Sequence, residues 1–92
     1  MDIQHEDNGT KGRFFVAENG KTLAEMTYTW AGTDRIIIDH TEVSDVLRGK
    51  NVGKQLVMGA VNMARDKKIS IIPLCPFANS VFKKTPDIQD VL

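Results

Sequence analysis

The spacing of apolar residues changes once along this chain, near residue 44, and that change limits the folds open to it. Upstream the pattern repeats every second residue; downstream it repeats every three or four. A period of two marks a strand with one buried face, and a period near 3.6 marks a helix with one buried stripe. Lys21 to Trp30 shows the first pattern clearly, with Leu23, Glu25, Thr27 and Thr29 set against Ala24, Met26, Tyr28 and Trp30. A strand centred on Phe14, Phe15 and Val16 precedes it over Arg13 to Glu18. Asn19-Gly20 between the two signals a type I′ hairpin turn. After the turn Ala31-Gly32-Thr33-Asp34, the segment Arg35 to Val43 carries Ile36-Ile37-Ile38, a β-branched density suited to a central strand.

The second half is read differently. Val52 to Lys67 forms a helix with Val52, Leu56, Val57, Ala60, Val61 and Ala64 on one stripe. Ile69 to Leu74 is a further buried strand, ended by Pro73 and Pro76. Phe77 to Lys84 is a short helix carrying Phe82, and Asp87 to Leu92 a last turn. The expected fold is therefore α+β, with a mixed sheet in the order β-β-β-α-β-α. An antiparallel meander is followed by a right-handed β-α-β unit. Ninety-two residues make one domain. Residues 1–12, polar and containing Asp7-Asn8-Gly9, are expected to be a flexible lead-in to a domain over 13–92.

Twelve basic and twelve acidic residues leave no net charge. This argues against a nucleic-acid or membrane-surface binder, which usually carries a basic excess. The start of the chain has no apolar leader region, and no run approaches the ~20 apolar residues of a membrane span. Cys75 is the single cysteine, which suits a reducing compartment, so a cytoplasmic protein is expected. With one cysteine and no clustered histidines, no metal site is expected. The edge of the strand Arg13 to Glu18 is expected to be exposed, compatible with a monomer or a weak dimer.

The polar loop Ser44 to Gly53 lies between a buried strand and an amphipathic helix. Its glycines, the free N–H groups of the first helical turn, and Arg48, Lys50 and Lys54 together suit a phosphate. Two common nucleotide motifs fail on spacing. A Walker A loop needs four residues between its glycines and a hydroxyl after the lysine; here three residues separate Gly49 from Gly53, and Gln55 follows Lys54. The dinucleotide fingerprint needs a third glycine.

Arg48-Gly49-Lys50-Asn51-Val52-Gly53 resembles motif A of the GCN5-related N-acetyltransferases, Q/R-x-x-G-x-G/A, with Asn51 where the middle glycine is usual. Asparagine tolerates a positive φ better than other non-glycine residues. Residues 13–92 resemble a group of very short acetyltransferase-like domains. His40-Thr41-Glu42-Val43, Leu47-Arg48-Gly49, Val52-Gly53-Lys54-Gln55-Leu56-Val57, Ala64-Arg65 and Pro73-Leu74-Cys75-Pro76-Phe77 carry that resemblance. The resemblance implies acetyl-CoA binding where the third and fourth strands splay apart. Its pyrophosphate would rest on Arg48, Gly49, Lys50, Asn51, Val52, Gly53 and Lys54. Its pantetheine arm would bond near Thr41 and Val43, and its adenosine would lie near Asn79, Phe82 and Lys83.

Larger members carry N-x-x-A-x-x-x-Y after the fourth strand; Cys75 and Phe82 stand at its asparagine and tyrosine positions. The hydroxyl that protonates the leaving thiolate in those members is thus absent. A cysteine at position 75 is characteristic of the short members and is suspected of acting on the acetyl group. Strict alternation puts Ile36, Ile38, His40 and Glu42 on one face, so His40 is expected to neighbour Cys75, with Glu42 as orienter or base. The alternatives are a cysteine that serves as a small buried hydrophobe and a histidine that is merely a strand residue. Two functions follow. One is an N-acetyltransferase acting on an unknown amine acceptor, a protein or peptide included, directly or through acetyl-Cys75. The other is a non-catalytic acetyl-CoA sensor or adaptor.

Overall fold

The computed structural model describes residues 2–92. Among them five strands form one sheet, in spatial order β1-β2-β3-β4-β5. These are β1 (Gln4–Asp7), β2 (Lys11–Glu18), β3 (Lys21–Trp30), β4 (Arg35–Val43) and β5 (Ser70–Pro73). The pairs β1–β2, β2–β3 and β3–β4 are antiparallel, and β5 runs parallel to β4. Helix α1 (Val52–Lys67) makes the crossover from β4 to β5, and α2 (Pro76–Lys84) follows β5. Single helical turns cover Asp45–Leu47 and Pro86–Val91. The mixed α+β sheet expected from the period change is the fold observed.

The core lies between the sheet and α1. Phe14 and Val16 of β2, Ala24, Met26 and Tyr28 of β3, Ile36 and Ile38 of β4, and Ile71 of β5 are all buried. The α1 stripe predicted from spacing is buried at every position. At roughly 25 cal/mol per Å² of apolar surface, this seam is the main source of stability. On the other face of the sheet Phe15 is buried under the Arg13 guanidinium, 3.8 Å from its ring centroid. Arg13 in turn pairs with Glu6 at 2.9 Å and Glu25 at 2.7 Å.

The lead-in expected to be flexible holds a strand. β1 pairs with β2 and covers the edge of Arg13 to Glu18 that had been expected to be free, so the outer edge is β1 itself. Polar groups anchor it, which is why an apolar pattern does not reveal it. The Tyr28 hydroxyl donates to Asp7 at 2.6 Å, and the Trp30 indole donates to the same carboxylate at 2.8 Å. His5 Nε2 lies 2.6 Å from the Tyr28 hydroxyl. Tyrosine has one proton and gives it to Asp7, so His5 Nε2–H is the donor in that contact. The His5 ring stacks on Phe14 with centroids 4.1 Å apart. Asn8 closes the turn, its side chain accepting from Thr10 and Lys11 N–H.

Candidate functional site

The site is created by one extra residue in β4. Tyr28 pairs with Ile38 and Thr27 pairs with His40, so Asp39 has no opposite number on β3. Such a bulge reverses the phase of everything after it. Thr41 and Val43 pair with Met26 and Ala24, both buried, and so lie on the core face. His40 and Glu42 pair with Thr27 and Glu25 and lie on the opposite face. The alternation read from Ile36, Ile38, His40 and Glu42 is therefore broken at Asp39. His40 is not the neighbour of Cys75; Thr41 is, with the Cys75 thiol 3.3 Å from its hydroxyl oxygen. His40 and Glu42 are exposed and 3.9 Å apart.

The bulge also reverses the backbone. The Cys75 N–H donates to the Ile38 carbonyl at 3.0 Å, so Ile38 directs its main chain toward β5. The Ser44 N–H donates to Leu23 at 2.7 Å, so Ser44 directs its main chain toward β3. Alternation back from Ser44 gives Glu42 and His40 to β3, and leaves Thr41 and Val43 facing the β5 side. No strand lies there: the β4–β5 ladder runs from Arg35↔Ser70 to Ile38↔Pro73 and stops. Beyond it β4 continues while the chain turns into α2. Thr41 and Val43 thus offer an open strand edge at the splay, where such groups take an added strand-like partner.

This edge leads to the turn before α1. Gly49 has φ 83° and Asn51 has φ 61° and ψ 28°, the left-handed conformation expected for the residue in the middle-glycine place. Asn51 makes no side-chain cap, and the first helical bond runs from Gln55 N–H to the Asn51 carbonyl. The N–H groups of Val52, Gly53 and Lys54 consequently have no partner within the helix, and the helix dipole adds positive potential there. A groove of about 530 Å³ lies against them, lined by Val43, Arg48, Gly49, Asn51, Val52, Gly53 and Lys54, and by Phe77, Ser80, Val81 and Lys84 of α2. Arg48 also pairs with Asp45 at 2.6 Å, which draws its charge back along the turn.

Most of the predicted cofactor residues meet in this groove, but those of α2 do not. Phe82 is 1% exposed and belongs to the core, so it cannot touch a ligand. The Asn79 amide donates to the Pro73 carbonyl at 3.4 Å, and Lys83 is outside the groove lining. Lys50 is exposed on the turn, also outside the lining. The α2 face that lines the groove is Phe77, Ser80, Val81 and Lys84, at helical spacing. Sequence reading missed it, although fixing Ala78 and Phe82 as the buried stripe would have found it. Pro76 begins α2, one residue before the predicted start, a place where its missing N–H costs nothing.

The sequence profile of the family described as GCN5-related N-acetyl-transferase matches residues 13–91. The chain belongs to this family. A GCN5-like protein of Staphylococcus aureus, solved in solution, superposes with a TM-score of 0.71 at 38% identity, over 97% of this chain and 86% of its own. A predicted acetyltransferase of Clostridium acetobutylicum, solved with acetyl-CoA, has the same fold at a TM-score of 0.66 and 18% identity, over 84% of this chain and 57% of its own. Protein NATD1 of Gallus gallus is 27% identical over 91% of this chain and 77% of its own length. Among the described residues no helix is long and apolar enough to cross a membrane.

Proposed function

We propose that the chain binds acetyl-CoA and passes its acetyl group to an amine. The observation that carries this reading is the continuity of three elements: the open β4 edge at Thr41 and Val43, the turn Arg48–Gly53, and the unpartnered N–H groups opening α1. An amide-bearing arm bonds the edge, and an anionic diphosphate suits the helix start. The solved relative of the same fold that holds acetyl-CoA supports the same ligand.

The geometry favours direct transfer. The acceptor nitrogen attacks the thioester carbon, the C–S bond breaks, and coenzyme A leaves as thiolate. The acceptor approaches from the exposed face of β4 that carries His40 and Glu42, and the nitrogen's proton passes to His40, with the Glu42 carboxylate 3.9 Å away. A thiolate with a conjugate-acid pKa of ~8.5 departs without a proton donor, so phenylalanine at position 82 is no obstacle. An acetyl-Cys75 route lacks the base it needs, because His40 projects from the other face and the thiol meets only the Thr41 hydroxyl. The first two strands, β1 and β2, are joined by the short turn at Asn8, Gly9 and Thr10, with no helical insertion to wall the acceptor side. An open site suits a protein or peptide acceptor. A free Cys75 suits a reducing, cytoplasmic setting.

The second reading is a sensor that binds acetyl-CoA without turning it over, favoured by the core position of Phe82 where larger relatives present a hydroxyl. Incubation with labelled acetyl-CoA and a lysine-containing peptide separates the readings. Direct transfer predicts label on the peptide, none retained on the protein, near-normal rates for Cys75→Ala, and a ~100-fold or greater loss for His40→Ala. Label trapped on Cys75 contradicts direct transfer, and binding without labelled product leaves the sensor.

A further inference from the structure

We infer that Phe77 is a positioning residue of the ligand-holding turn, and that position 53 must be glycine because of Phe77 rather than because a ligand approaches it. This rests on the proposed acetyl-CoA site. Gly53 ends the glycine motif, where the absence of a side chain is naturally credited to close ligand approach. Its surroundings say otherwise. Gly53 is buried, and it is absent from the residues with positive φ, so its backbone conformation does not demand glycine. A Cβ built on it would lie 2.4 Å from Phe77 Cζ, 2.7 Å from Cε2 and 3.3 Å from Cε1. The Phe77 ring therefore stands where a side chain at position 53 would go.

The contact fixes two elements against each other. Phe77 is in the first turn of α2, Gly53 in the first turn of α1, and both line the same groove. Phe77 is 43% exposed, an unusual state for phenylalanine, and its exposed part faces that groove. The ring thus seats on the helix start and forms an apolar part of the groove's lining. A methyl group at position 53 must push the ring outward, into the groove. The damage to binding then comes from the displaced ring, not from the methyl group meeting the ligand.

A double-mutant cycle tests this, with acetyl-CoA affinity measured by calorimetry for wild type, Gly53→Ala, Phe77→Ala and the double variant. Gly53→Ala alone is expected to weaken binding by about tenfold, the scale of an overpacked contact. In the Phe77→Ala background the same change should cost less than about twofold. An equal loss in both backgrounds, or no loss in the first, overturns the inference. Melting temperatures without ligand give an independent reading, and they decide the inference even if wild type fails to bind and the proposed function falls. Gly53→Ala should lower the melting temperature in the wild-type background. It should raise it in the Phe77→Ala background, because alanine is the better helix former once space exists. A lowering of equal size in both backgrounds contradicts the inference.

Discussion

Asp39 decides which side chains and which backbone groups reach the splay. As the one unpaired residue of β4, it sends Thr41 and Val43 to the core face at the splay and His40 and Glu42 to the opposite face. Its carboxylate accepts from the hydroxyls of Thr27 and Thr29, which holds the bulge in place. Deleting Asp39 would restore regular pairing with Thr41 and Val43 still on the splay side, so the edge is tested instead by Val43→Pro, which removes an N–H that faces away from the β3 ladder. The expected result is a folded protein, by amide chemical-shift dispersion, whose affinity for acetyl-CoA falls at least ~10-fold. Retained affinity would mean that the ligand does not use this edge. The bulge was not legible in advance because Ile36-Ile37-Ile38 is apolar on both faces and fixes no phase. The one hint is Val43, apolar but out of step with Ile36 and Ile38.

At the scale of elements, the meander, the crossover helix and the parallel last strand were all legible, since each rests on apolar periodicity. β1 was not, since charged and polar groups hold it. That anchoring makes it sensitive to acid. Burial pushes the Asp7 carboxyl up, but hydrogen bonds from the Tyr28 hydroxyl, the Gly9 N–H and the Trp30 indole outweigh it and hold Asp7 below the usual carboxylate range. With the folded value below the unfolded one, the stabilisation is present above about pH 4 and disappears as pH falls through the folded value. Burial likewise lowers His5. The unfolded chain takes up that proton first, so stability also drops as pH falls from about 6.5. Wild type should therefore melt well above Asp7→Asn at pH 7, with the gap closing below about pH 4. A gap unchanged at pH 3 would contradict the latch.

Helix α2 gives a second test at this scale. Its groove face contains Lys84 but not Lys83. Lys84→Ala should weaken acetyl-CoA binding roughly threefold, the scale of one exposed charge contact, with the loss fading at high salt. Lys83→Ala should leave affinity unchanged. Equal losses would return the ligand to the face first inferred from the resemblance. Asn79, Phe82 and Lys83 fall outside the groove because the core contacts of Ala78 and Phe82 fix the helix's rotation.

Across the whole molecule, a small sheet, one crossover helix and a groove between two helix starts make up a single candidate site. Bound ligand should act on the fold as a unit. At ~100 times its dissociation constant, acetyl-CoA adds about 2.7 kcal/mol of stability. At about 4–8 °C per kcal/mol for a domain of this size, the melting temperature should rise by more than ~10 °C. The most direct test of the central claim is an acetyl-CoA titration followed by backbone amide chemical shifts. Saturable shifts are expected at Thr41, Val43 and Asn51 through Lys54, with little change at Lys83. No saturable shift at these amides with millimolar acetyl-CoA would contradict it.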